Sequence, residues 1–176
     1  MPSYVQFDVW QNTAGVTSNA PVQIVSTSSR VSFSIGSAVN DQTYRNSNTS
    51  VTFTSRLANS RFLMMANQPG YCDGNNSGVA MGFRFNGTLL VGVDGGSGNS
   101  WSMGGNSTSA AAAFNLNHSN LYSPGLAAGS SITVYITVGC WSTPHGNIYF
   151  NYNNGADGIA SNYNVTSTLT VMEIPQ

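Results

Sequence analysis

The stretch VAMGFRFNGTLLVGV, residues 79 to 93, decides how the rest of the chain is read. Asn86-Gly87 is the residue pair that best tolerates positive φ at both centres of a type I′ turn, so the two apolar runs around it read as an antiparallel hairpin. A two-residue loop pairs Phe85 with Thr88, Arg84 with Leu89, Phe83 with Leu90 and Gly82 with Val91. Phe83, Phe85 and Leu90 then share one face, while Ala80 and Gly82 make room for Leu89, Val91 and Val93 on the other. Both faces carry apolar bulk, so the hairpin has something to bury on each side.

The same property recurs at the end of the chain, in STLTVMEIPQ, residues 167 to 176. Strand alternation places Leu169, Val171 and Glu173 on one face and Thr168, Thr170, Met172 and Ile174 on the other. Glu173 is the only glutamate in the protein. On a core-side face but near the strand's end, it is expected to reach solvent or an arginine, with Arg30, Arg61 and Arg84 as candidates. A buried, unpartnered carboxylate costs several kcal/mol, roughly, and would argue against this placement.

Strand patterns recur along the chain: near 4 to 9, 22 to 25, 31 to 35, 50 to 54, 61 to 66, 79 to 85, 88 to 93, 111 to 116, 132 to 138, 147 to 152 and 168 to 174. The one helix-friendly run, Ala110 to Ala113, is too short to nucleate a helix. Long polar stretches separate the strands: NQPGYCDGNNSG, DGGSGNSWSMGGNSTS and NYNNGADGIASNYN. Many strands, no helices and long loops give an all-β fold, an antiparallel two-sheet sandwich. A jelly roll is preferred over an immunoglobulin-type fold because the strand count is high and no Cys…Trp…Cys pattern appears.

Composition narrows the function. The 176 residues suit one domain, and hydrophobic residues at 40% with aromatics at 11% exclude disorder. Charged residues are only 6% of the chain, the net charge is −1 and all five basic residues are arginines, so no basic field exists to hold nucleic acid or an acidic membrane. No run approaches the roughly 18 apolar residues of a membrane span, and MPSYVQFDVW lacks the regions of an export signal. The Asn-x-Ser/Thr triplets at Asn48, Asn75, Asn86, Asn106, Asn117 and Asn164 then read as by-products of composition. Cys72 and Cys140 allow one disulfide, but two free thiols are expected.

Catalytic chemistry is thinly supplied, and no enzyme is expected. The acids Asp73, Asp94 and Asp157 each precede a glycine, where a carboxylate commonly caps a turn. DGNNSG, residues 73 to 78, opens like a calcium loop, yet the twelfth position, where a bidentate glutamate belongs, is Arg84. His118 and His145 lack zinc-ligand spacing. No metal and no cofactor are expected. Trp141 beside His145, and Trp101 near Met103, form possible aromatic and polar binding spots.

RLANSRFLMMAN, VAMGFRFNGTLLVGVDGG, NLYSPG, SSITVYITVGC, NIYFNYNN and STLTVMEI, in that order, resemble a family of small phage virion domains found in cyanophages and other marine phages. These occur as globular heads of tail fibres and as stand-alone surface proteins, and the resemblance covers about residues 22 to 174. It implies a jelly roll like the trimeric heads of the complement and tumour-necrosis-factor type, with the C-terminal strand in the inner sheet near the threefold axis. Met172 and Ile174 would then face a neighbouring subunit. The family shares no catalytic residues to carry over.

Residues 1 to 21 are expected to be a docking arm, with Tyr4, Phe7, Val9 and Trp10 as its contacts, and residues 22 to 176 the jelly-roll domain. No collagen-like or coiled-coil shaft precedes the domain, which favours a self-contained virion protein over a fibre tip. The expected function is a homotrimeric capsid decoration (cement) protein on the virion surface, contacting the major capsid protein or another virion protein. The alternative is the receptor-binding head of a tail fibre. It would recognise a host surface glycan through Trp101, Trp141, His145, Tyr149 and Tyr152.

Overall fold

The computed structural model describes residues 3–6, 21–35, 45–72, 79–90, 102–104, 112–140, 148–151, 153–154, 162–163 and 165–176. Side chains are described for most of these, but not for residues 3–6, 102–104, 153–154 and 162–163 or for Cys72, Ala112 and Cys140. Fourteen strands occur among the described residues and no helix. They are β1 (Ser3–Gln6), β2 (Gln23–Ser29), β3 (Phe33–Ile35), β4 (Arg45–Thr54), β5 (Arg61–Cys72), β6 (Val79–Phe85) and β7 (Thr88–Leu90). There follow β8 (Ser102–Gly104), β9 (Ala112–Tyr122), β10 (Ser131–Cys140), β11 (Ile148–Phe150), β12 (Asn153–Asn154), β13 (Asn162–Tyr163) and β14 (Ser167–Ile174).

The hairpin forms as its sequence dictates. Phe83 pairs with Leu90, Arg84 with Leu89 and Phe85 with Thr88. Asn86 (φ 46°) and Gly87 (φ 83°) both take the left-handed backbone that a type I′ turn requires. The Asn86 carboxamide clamps the turn to the neighbouring strand, its Oδ1 accepting from Thr133 N at 2.7 Å and its Nδ2 donating to Ser131 O at 3.3 Å.

The hairpin belongs to the smaller sheet, ordered β4-β10-β6-β7 with β8 on the same edge of β6 as β7. The larger sheet runs β1-β2-β14-β5, with β9 on the far edge of β5. All pairings are antiparallel. Count β2, β4, β5, β6, β7, β9, β10 and β14 as the eight strands of a double Greek key. The first, eighth, third and sixth are then neighbours in one sheet, and the second, seventh, fourth and fifth in the other. That is jelly-roll order. The C-terminal strand sits between the first strand and the third, inside a sheet rather than at its edge.

Between the sheets lies one apolar core. Val25, Phe62, Met64, Leu116, Leu169 and Val171 enter it from the larger sheet, and Val51, Met81, Phe83, Phe85, Ile132, Val134 and Ile136 from the smaller. Phe62 bridges them, its ring 5.3 Å from Phe85 and 6.0 Å from Phe53. Toward the other end, Phe33 stacks on Phe150 at 4.7 Å and Phe114 meets Phe150 edge-on.

The larger sheet has a seam. One edge of β5 pairs with β14 over Arg61–Asn67 and with β11 over Gly70–Cys72. Between them the chain turns away at Asn151, whose φ is 56°. Pro69 sits at this break because its carbonyl, and so the position of its missing N–H, points into the seam. There it accepts from Asn151 N at 3.0 Å, so no ladder bond to β9 is lost. Gln68, fully buried, donates to Asn151 Oδ1 at 2.7 Å, and the Asn151 amide donates to Val31 O at 3.0 Å.

Glu173 corrects one expectation. It lies on the core-side face with Leu169 and Val171, as alternation requires, but it is only 1% exposed and pairs with none of Arg30, Arg61 and Arg84. Its carboxylate accepts from the backbone N–H groups of Arg56 and Leu57, each at 2.9 Å, and from the Ser60 hydroxyl at 2.7 Å. The glutamate therefore caps the β4–β5 corner from within, satisfying amides that the turn leaves without ladder partners. That corner in turn holds the β9–β10 connection, with Asn59 N donating to Leu126 O at 2.7 Å and Ser55 N to Ser130 O at 2.9 Å. One end of the sandwich is thereby tied to the last strand.

Candidate functional site

With one face of the larger sheet committed to the core, its other face is the surface to examine. Alternation sends Ile24, Ser26 and Ser28 of β2, Thr168, Thr170, Met172 and Ile174 of β14, the odd-numbered residues of β5 and those of β9 outward. Register then sorts these side chains into rows across the strands. Ile24 lies beside Met172, Met172 beside Leu63, and Leu63 beside Leu121. Val5 of β1 holds the next register position, beside Ile24.

This apolar row runs near the tied end of the sandwich, and Ile174 adjoins it beside Arg61. Ile24, Leu63, Met172 and Ile174 are half-buried, while Leu121 is 49% exposed. Leu121 extends the apolar row to the exposed edge of β9.

The next rows are polar and uncharged. Ser26 and Thr170 share a hydrogen bond at 3.1 Å, and Met65 and Ser119 continue that row. One row further, Asn67 Nδ2 donates to Asn115 Oδ1 at 2.6 Å and to Asn117 Oδ1 at 2.9 Å. A hollow of about 420 Å³ opens here, with Met65, Asn67, Asn117, Ser119, Thr168 and Thr170 among its lining. Across all described strand positions of this face, Arg61 is the only charged side chain, and it donates to Pro175 O at 3.3 Å.

At the opposite end of the face, Tyr149 lies in register with Tyr71, ring centroids 6.5 Å apart. Tyr149 is the one member of the expected glycan-contact set whose side chain is described. Trp101, Trp141, His145 and Tyr152 lie outside the described residues, as do the aspartates of the turn and calcium-loop readings. Of the expected arm, Tyr4 falls in β1 opposite Val25, and Phe7, Val9 and Trp10 lie outside the described residues. The sequence singled out Met172 and Ile174 on this face but missed Ile24, Leu63, Met65 and Leu121. The signal was there, since RFLMMA places apolar residues on both faces of β5.

His118 points the other way, into the sandwich edge, where its ring stacks on Phe83 at 5.2 Å. Desolvation by burial lowers its pKa from the ordinary 6.5. Among the described residues no three His, Cys, Asp or Glu side chains gather closely enough to hold a metal ion. No described helix is long and apolar enough to cross a membrane.

No protein-family model and no curated protein matches the chain. Two solved structures of infectious bursal disease virus, the VP2 subviral particle and the Gx strain, align with it at 10% and 13% identity and TM-scores of 0.30 and 0.22. The alignments cover 97% and 96% of this chain but only 46% and 42% of the viral chains. Likeness at that level carries no inference about function.

Proposed function

We propose that the protein is a structural component of a phage virion, a homotrimeric decoration protein that sits on the capsid exterior and stabilises the head through apolar and neutral hydrogen-bonded contacts. The observation that supports this reading is the outer face of the larger sheet. It offers an apolar row from four adjacent strands beside neutral hydroxyl and amide rows, a surface suited to self-association without charge repulsion. In a threefold arrangement Met172, Leu63 and Ile24 face neighbouring copies, and the polar rows hydrogen-bond across the contact.

Localisation tests the function directly. Gold-labelled antibody against the chain is expected on the heads of intact particles, and labelling confined to tails would overturn the decoration reading in favour of a receptor-binding fibre head. Of the expected glycan-contact set, only Tyr149 is described, and it is half-buried beside Tyr71, while the other four lie outside the described residues.

A further inference from the structure

Arg84 stands apart from the other arginines. Arg30 donates to Thr166 Oγ1, Arg56 to Gln23 Oε1 and Arg61 to Pro175 O, and Arg45 also has a partner. Arg84 is half-buried on the outer face of the smaller sheet with no hydrogen bond or ion pair among the described residues, and its Nε is buried and unsatisfied. Native proteins rarely leave such a donor unused, and a bound water or ion is a common partner for one.

A second orphan lies diagonally across the ladder. Thr137 pairs in register with Gly82, while Tyr135 pairs with Arg84, and the fully buried Thr137 Oγ1 likewise lacks a partner among the described residues. Both orphans sit where the outer face changes character. Ala80, Gly82, Thr137 and Gly139 are buried although they point away from the core, whereas Tyr135, Arg84 and Leu89 are half-open. The row continues through Ser50 and is flanked by exposed Thr52 and by Thr133, whose hydroxyls meet at 3.0 Å.

The geometry points to an anion site at Arg84, flanked by Tyr135, that takes the carboxylate of an acidic glycan. A guanidinium whose Nε lacks a partner matches a carboxylate in bidentate fashion, and the adjoining tyrosine ring and threonine hydroxyls suit the ring face and hydroxyls of a sugar. An acidic protein segment would call for several cations. The described outward positions of β4, β6, β7 and β10 carry no cation besides Arg84. The site lies on the opposite sheet from the proposed subunit contact, so it stands or falls separately from the trimer.

Titration of ¹⁵N-labelled protein with galacturonate oligomers and with sialyllactose tests it, each against its neutral counterpart, the carboxyl-reduced oligomer and lactose. Amide shifts are expected around residues 82 to 84 and 133 to 137 with at least one acidic ligand, identifying which source of sugar carboxylate is read. Arg84→Gln is expected to weaken that binding at least tenfold and Tyr135→Phe several-fold, while Arg56→Gln changes nothing. Should Arg84→Gln fold poorly, Arg84→Lys and Tyr135→Phe carry the test. Absence of shifts with both acidic ligands, equal binding of the neutral counterparts, or full binding by Arg84 variants would overturn the assignment.

Discussion

Single residues hold this molecule together in ways a side-chain inventory hides. Glu173 is buried without a cationic partner because its three donors are two backbone amides and a serine hydroxyl. Hydrogen bonds to a charged group contribute about 1.5 to 3 kcal/mol each, and a glutamine retains only one accepting oxygen. Glu173→Gln is therefore expected to cost about 2 kcal/mol, lowering Tm by roughly 4 to 8 °C in a chain of this size, as thermal unfolding would show. Arg30→Gln, by contrast, should leave Tm unchanged. Gly70 is a second such residue, because a Cβ there would overlap the Phe114 ring and the Tyr149 carbonyl oxygen. Gly70→Ala is expected to cost at least about 2 kcal/mol in urea unfolding. His118 supplies a pH term. Its folded pKa lies below its unfolded value, so the unfolded chain binds the proton more readily. That stability is whole above the ordinary 6.5 and declines as pH falls through the window down to the lowered value. His118→Phe keeps the contact with Phe83 and should flatten that part of the stability profile.

At the scale of elements, apolar alternation was legible and polar strand was not. The hairpin of β6 and β7 formed in the register its Asn-Gly turn dictates, and the final strand buried the face its spacing marked. Three strands ran well past their apolar cores: β4 back to Arg45, β5 on to Cys72 and β9 on to Tyr122. Their extra residues are mostly polar, with Asn, Ser, Thr, Gln and a proline among them, and such stretches read as loop. In the sheet Asn46, Asn48, Asn117 and Ser119 are exposed, Ser47, Thr49 and Gln68 are buried, and Pro69 is placed against the seam where no N–H is needed. The two- and three-residue strands β8, β12 and β13 lie in Gly- and Asn-rich sequence with no period to detect. The partner of Glu173 was illegible for a related reason, since backbone donors leave no mark on side-chain identity. The hairpin also makes a quantitative claim. Gly87 sits at φ 83° with open space around it, so Gly87→Ala tests backbone strain alone and should cost about 1 kcal/mol.

For the whole molecule, the decisive asymmetry lies between the two faces of the larger sheet. One is filled by the core; the other shows an apolar row that no described segment covers, next to rows that are polar yet uncharged. Part of that face was readable in advance, as Met172 and Ile174, because β14 has apolar residues on both sides. The rest needed the topology, since Ile24, Leu63 and Leu121 are far apart in sequence and meet only once β2 and β5 flank the last strand and β9 flanks β5. The account stands on that face being a contact between copies. Sedimentation equilibrium of the full chain measures it most directly, alongside Leu63→Asp/Met172→Asp, whose changes lie outside the core. A single species of three times the 18.5 kDa chain mass, reduced to one chain mass by the double substitution, is the expected result. A wild-type chain that stays monomeric at every concentration, or a trimer indifferent to both aspartates, would contradict it.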